Sequence, residues 1–200
     1  MVQHLFFSEP TRIGKLDLAF AIGAASRDAK NVLQHMKEII KSIADMYGTD
    51  LIHYGVITFD SEAAIKLRFG NKINSAKNLK AFIDSIPAPN GGPAIDKALE
   101  AAKVLFGGDD VRYDAQKVLV VMVDKRSSGD EVSAMKTAVE LKESGVNIIT
   151  VAVGSETDLV NLKNISKTPG NVINTTSRGK PDEVGKEIVD KTGIMRVIPC

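Results

Sequence analysis

The side chains able to do chemistry are few and scattered. The three histidines stand apart, His4 near the start, His35 in a helix-like stretch and His53 in a strand-like one. None has a second His or Cys at metal-ligand spacing, so each reads as structural. The single cysteine, Cys200, cannot close a disulfide within the chain. It reads as a free thiol, an intermolecular link or half of a bridge to a partner outside this sequence, so cysteine usage does not fix the compartment. The loop Gly23-Ala24-Ala25-Ser26-Arg27-Asp28 keeps only the first glycine of a dinucleotide-binding turn, which needs further glycines for backbone to approach a pyrophosphate. There is no G-x-x-x-x-G-K-[ST] phosphate loop and no G-x-S-x-G nucleophile elbow. The carboxylates show no arrangement that favours acid–base work. No enzymatic activity and no cofactor are expected.

These groups must be positioned by a regular scaffold. Two hundred residues suit one large domain, and 44% hydrophobic with 26% charged residues is ordinary globular composition. A formal net charge of +1 gives no electrostatic case for nucleic acid or an anionic membrane. The pairs Lys77/Lys80 and Lys125/Arg126 are too short to form a binding arm. The longest apolar runs are strand-sized, so none spans a bilayer. The start lacks a basic region followed by a long apolar core; a secreted parent is expected to make this a fragment without its signal peptide.

Hydrophobic periodicity switches repeatedly between two patterns. Residues 16–22 read as a buried strand, and Val32, Leu33, Met36, Ile39, Ile40, Ile43 and Tyr47 as the stripe of a helix over 30–47. Residues 52–59 and 64–69 read as a hairpin around Asp60-Ser61-Glu62. Leu79, Phe82, Ile83 and Ile86 mark a short helix stopped at Pro87. A second follows Asn90-Gly91-Gly92-Pro93, with Pro93 suited to its first turn. Residues 118–123 are expected to be a central strand, and Val132, Met135, Val139 and Leu141 the stripe of the next helix. A strand at 147–153, a helix at 157–166, a short strand at 172–174 and a helix at 182–191 complete the series. Met36, Met46, Met122 and Met135 fall at core spacings and read as packing.

Alternating strands and helices imply a doubly wound α/β fold: a mostly parallel six-stranded sheet with one antiparallel edge strand and helices on both faces. Ligand sites in such sheets lie in the loops beyond the carboxyl ends of the strands, here beginning at Gly23, Asp60, Asp124 and Gly154. The expected domain covers 16–192, with an extension at 1–15 and a tail at 193–200. Phe6 and Phe7 suit an extra edge strand or docking onto the sheet.

Five segments in order, at 17–22, 54–59, 90–99, 118–128 and 141–154, resemble the von Willebrand factor type A family. Asp17-Leu-Ala-Phe-Ala-Ile22 is similar to its first strand, and Tyr54-Gly-Val-Ile-Thr-Phe59 to its second. Asn90-Gly-Gly-Pro-Ala-Ile-Asp-Lys-Ala-Leu99 resembles its Gly-Gly-Thr loop and following helix. Val118-Leu-Val-Val-Met-Val-Asp-Lys-Arg-Ser-Ser128 resembles its central strand and Thr-Asp-Gly turn. Leu141-Lys-Glu-Ser-Gly-Val-Asn-Ile-Ile-Thr-Val-Ala-Val-Gly154 is similar to its next helix-to-strand passage. Each match alone is weak; five in register are specific.

The resemblance implies a site in which an Asp-x-Ser-x-Ser loop, a Thr and an Asp surround a divalent cation, often completed by a partner's carboxylate. Hard cations require such oxygen ligands. Carried over position by position, those ligands fall on Gly23, Ala25, Arg27, Pro93 and Asp124, with Lys125 where the family has Gly. Only Asp124 keeps an oxygen. The expectation is a degenerate, metal-free site whose binding face includes Gly23, Ala25, Ser26, Arg27, Pro93, Asp124 and Lys125. Arg27 is expected to pair with Asp124 and supply the missing positive charge. The alternative is a shifted cation site of Ser26, Asp28 and Asp124, with Asp96 nearby, holding Mg²⁺ or another divalent ion.

By that resemblance the chain is expected to be a non-catalytic, extracellular binding or adhesion module for collagen or another matrix protein, without nucleic-acid binding or membrane insertion. The alternatives are a metal-dependent adhesion domain and a structural domain that packs against sister domains or copies of itself. An intracellular setting stays open. Two sequons, at Asn164 and Asn174, are expected glycosylation positions if the chain is secreted.

Overall fold

Residues 118–123 are apolar without alternation, which suits a strand covered on both faces. In a computed structural model describing residues 14–70, 73–88, 91–176 and 179–194, they lie within a central strand of 11 residues. The strands are Lys15–Gly23 (β1), Ile52–Phe59 (β2), Ala63–Leu67 (β3), Ala115–Lys125 (β4), Val146–Glu156 (β5) and Val172–Thr175 (β6). They form one sheet in the order β3-β2-β1-β4-β5-β6. All neighbours are parallel except β3, which runs antiparallel to β2. This is the expected doubly wound sheet with one antiparallel edge.

The helices are Ala29–Tyr47 (α1), Ala76–Ser85 (α2), Ile95–Phe106 (α3), Glu131–Glu143 (α4), Leu159–Ser166 (α5) and Pro181–Lys191 (α6). Because successive strand residues point to opposite faces, each strand feeds two cores. Leu18, Phe20 and Ile22 of β1 join Val120 and Met122 of β4 beneath Met36, Ile39, Ile40 and Ile43 of α1, with α2 and α6 alongside. Ala19, Ala21, Leu119, Val121 and Val123 face α3, α4 and α5 on the other side. Full burial of each Leu, Ile, Val, Met or Phe side chain among these contributes about 1.5–3 kcal/mol.

Local chemistry sets the helix ends. Asp130 accepts the Val132 and Ser133 amides at the start of α4, and Asp158 those of Val160 and Asn161 at the start of α5, satisfying donors that no helix turn can reach. Lys37 crosses from α1 to donate to the carbonyls of Asp84 and Ile86 at the end of α2.

Two readings are corrected. Pro93 does not open α3; the helix starts at Ile95, and the Pro93 carbonyl accepts the Ser128 amide instead. In α4 the buried face is Ala134, Thr137, Ala138 and Leu141, while Val132 is 71% and Val139 40% exposed. Small residues face α3, its closest helical neighbour, and the larger apolar ones were mistaken for the stripe. His4, Phe6, Phe7, Asn90 and Cys200 lie outside the described residues.

The parallel strands give the domain two poles. The loops after β1, β4 and β5, with the β2–β3 turn, gather at the carboxyl-end pole. β1 begins at the other pole, where α6 also ends: Lys191 there donates to the Gly170 carbonyl, just ahead of β6. A clamp holds β1 near its start. Asp17 is fully buried and accepts the Arg112 backbone amide and its Nε, both at 2.8 Å. The Arg112 Nη2 donates onward to the carbonyls of Leu16 and Leu51.

Candidate functional site

The loop pole brings Gly23, Ala25, Ser26, Arg27, Pro93, Asp124 and Lys125 onto neighbouring elements. β1 and β4 lie side by side, with Gly23 opposite Val123, so the loops that follow them are adjacent. Gly23, Pro93 and Asp124 are buried, Ala25 and Ser26 half-buried, and Arg27 and Lys125 exposed.

Asp124 is not paired with Arg27. Its carboxylate, 2% exposed, accepts the backbone amides of Ala25 at 2.8 Å and Ser26 at 3.0 Å. The loop between β1 and α1 folds over it, presenting two N–H groups that no helix turn has claimed. Arg27 points to solvent, and among the described residues neither it nor Lys125 has an ion-pair partner. Backbone donors reach a buried carboxylate without ordering a long side chain, which a guanidinium would require.

Gly23 explains another part of the site. A Cβ added there would sit 2.7 Å from Cζ and 2.8 Å from Cε2 of Phe59. The Phe59 ring, at the end of β2 and 1% exposed, therefore occupies the volume into which a side chain at 23 would project. Sequence reasoning missed Phe59. The signal available was Gly23 itself, since a missing side chain beside a packed sheet leaves a volume that a neighbour must fill.

Beneath the loops, Ser127 Oγ accepts the amides of Ile95 and Gly129, tying the start of α3 to the loop after β4. Asp96 is 5% exposed in the first turn of α3, and its Oδ1 has no hydrogen-bond partner. Its Oδ2 lies 3.7 Å from Lys97 Nζ. An acidic group suits the positive end of a helix. Asp28 turns its carboxylate to the Asn31 side-chain amide at 2.6 Å. Among the described residues, no three His, Cys, Asp or Glu side chains are grouped to hold a metal ion. The five positions implied by the resemblance supply one carboxylate, already engaged by two amides. This donor set does not fit an octahedral hard cation.

Asp124→Ala leaves the two loop amides without an acceptor. It is expected to lower stability by about 2–3 kcal/mol, read by urea denaturation, and Asp124→Asn, which retains a carbonyl, by less. Equal losses would show that the amides find other acceptors.

The outer rim carries charges of both signs and exposed apolar side chains. Arg126 donates its backbone amide to the Glu156 carbonyl. Its guanidinium lies 3.5 Å from Glu131 and 3.8 Å from Asp158, bridging the starts of α4 and α5. Val132 and Val160, each in the first turn of one of these helices, are 71% and 68% exposed.

Comparison with known proteins agrees with this architecture. The human collagen alpha-5(VI) chain is 27% identical over 173 residues, covering 82% of this chain and 6% of that one. The human collagen alpha-1(XXI) chain is 24% identical over 160 residues, covering 79% of this chain and 16% of that one. This chain thus spans only a small part of the curated relatives it matches. Among solved structures, proximal thread matrix protein 1 from the mussel byssus superposes with a TM-score of 0.78 at 28% identity, covering 90% of this chain and 46% of that one. A form of that protein with a zinc-occupied MIDAS motif superposes with a TM-score of 0.75 at 29% identity, covering 90% and 45%. The model of the von Willebrand factor type A domain matches residues 17–186, and the chain belongs to that family.

Proposed function

We propose that this domain is a non-catalytic adhesion module that acts outside the cell and binds a matrix protein, such as a collagen, through its loop pole without a bound metal. Its likeness to collagen chains and to a byssal matrix protein supports the setting. The observation that carries the metal-independent part is the Phe59 ring against Gly23, together with two amides on Asp124. Where a family member can present a cation to a partner's carboxylate, this chain presents the exposed side chains of Arg27 and Lys125. The exposed Val132 and Val160, in the first turns of the helices whose starts Arg126 bridges, add apolar surface at this pole, a mixture suited to protein contact.

The test is binding to immobilised matrix proteins, with and without EDTA. Affinity is expected to be unchanged by the chelator. The charge reversals Arg27→Glu and Lys125→Glu together are expected to weaken it about tenfold or more, mostly through faster dissociation. Loss of binding in EDTA, or a melting temperature that rises with added Mg²⁺, Mn²⁺ or Zn²⁺, would favour a rearranged cation site instead. Unchanged affinity in the charge-reversed protein would move the interface away from the loop pole.

A further inference from the structure

The two edges of the sheet are built differently. An open edge is a template for pairing with another chain, and proteins blunt it with charges, bulges or a covering segment. β3 carries Glu62 just before it and Lys66 within it, and its register with β2 shifts between Val56 and Ile57. Among the described residues, β6 has none of these. It pairs with β5 along one side, and among the described residues no strand lies outside it. The stretch Val172-Ile173-Asn174-Thr175-Thr176 holds no charge and no proline and is rich in β-branched residues, the composition that favours intermolecular pairing.

One of the two sequons lies on this edge. Asn174 lies in β6 and Thr176 one residue past its end; both are exposed, whereas Ile173 is buried on the opposite face of the strand from Asn174. The other sequon, Asn164-Ile165-Ser166, lies within α5, where two residues are separated by about 200° around the axis. Asn164 is exposed, but Ser166 is fully buried, with its hydroxyl donating to the carbonyls of Lys163 and Thr168. The two residues that a glycosyl transferase must engage together are thus both exposed at 174 and 176, whereas at 164–166 the hydroxyl is buried on the side of the helix away from the amide.

We propose that Asn174 is an N-glycosylation site, that Asn164 is not, and that the glycan on Asn174 shields the open β6 edge. This rests on the extracellular reading above. The Asn174 Nδ2 forms a bond to the anomeric carbon of an oligosaccharide carried on a polyprenyl pyrophosphate. The bond from that carbon to the phosphate oxygen breaks, the polyprenyl pyrophosphate leaves, and the amide proton passes to a base of the transferase. No oxidant or reductant is required. A hydrated glycan at mid-edge keeps a second strand from approaching to the roughly 4.8 Å that pairing needs.

The test secretes the full chain from human cells behind a cleavable signal peptide and releases N-glycans enzymatically in ¹⁸O water. Labelled aspartate is expected at 174 and not at 164. Asn174→Gln and Thr176→Ala are each expected to abolish the mobility shift, and Ser166→Ala to leave it. Thr176→Ala, which keeps the Asn174 side chain, is expected to self-associate at concentrations where the glycosylated protein stays monomeric by light scattering. Label at 164 alone, no label on protein recovered from the medium, or equal monodispersity of the two forms would overturn the proposal while leaving the adhesion reading intact. Recovery of the natural full-length protein from the cytosol would overturn both.

Discussion

Arg112→Ala is expected to lower the unfolding free energy by about 3–5 kcal/mol, the largest loss from any single truncation outside the apolar cores. Asp17 is fully buried, and Arg112 Nη2 approaches it at 2.7 Å in addition to the two hydrogen bonds from the Arg112 amide and Nε. Truncation leaves the backbone amide and little else to hold a charge removed from water. His53 Nδ1 is 4.0 Å from the carboxylate, and its pKa is held below 6.5, first by burial and then by Arg112. In the wild type the unfolded chain therefore binds the His53 proton more readily, so stability falls as pH drops below about 6.5. Without Arg112 one cause of that depression is gone and Asp17 attracts the imidazolium. The cost of Arg112→Ala should thus be smaller at pH 5.5 than at pH 8. Urea denaturation at both values checks this; a loss under about 1 kcal/mol at pH 8 would mean that water reaches Asp17. The double change Asp17→Leu with Arg112→Met should recover most of the loss, since an apolar pair leaves no stranded charge.

Gly23→Asp, which puts a carboxylate where the sequence resemblance places the first ligand of the family's cation site, is expected to destabilise by about 3–5 kcal/mol and to confer no metal binding. Its Cβ alone would overlap the Phe59 ring, and Gly23→Ala should cost about 1–3 kcal/mol by overpacking. The carboxylate adds a second negative charge beside the buried Asp124. Combining Gly23→Ala with Phe59→Leu should cost less than the sum of the single changes, because the two positions share one volume. A Gly23→Asp protein of wild-type stability whose melting temperature rises in Mg²⁺ would show that the ring swings aside freely.

The fold could be read from the sequence because its signals repeat. Uninterrupted apolar runs such as 118–123 and the stripe on α1 each specify one element, and their alternation leaves little choice of topology. The α4 stripe failed because a helix packed closely on α3 buries Ala134 and Ala138 rather than its valines; volume complementarity outweighed hydrophobicity. At the loop pole, ligand positions could be assigned by alignment of motifs, but contacts could not. The hydrogen bonds to Asp124 come from backbone amides, which carry no residue identity. The Phe59 ring reaches Gly23 from a neighbouring strand distant in sequence. The Arg27–Asp124 pair was reasonable as charge matching and lost to donors already in place.

The position of the two exits from the domain has a mechanical meaning. Lys15 and Lys191 lie at the pole opposite the loops, so tension carried through a longer polypeptide would be applied and withdrawn at that pole. The load would act first on the leading residues of β1, peeling its hydrogen bonds one at a time from the Leu16 end. Arg112 is stationed there, pinning Asp17 and the Leu16 carbonyl like a rivet at the start of a seam. The loops at the other pole would stay off the load path, so under the proposed function grip and strain would be borne by different ends of the same small body.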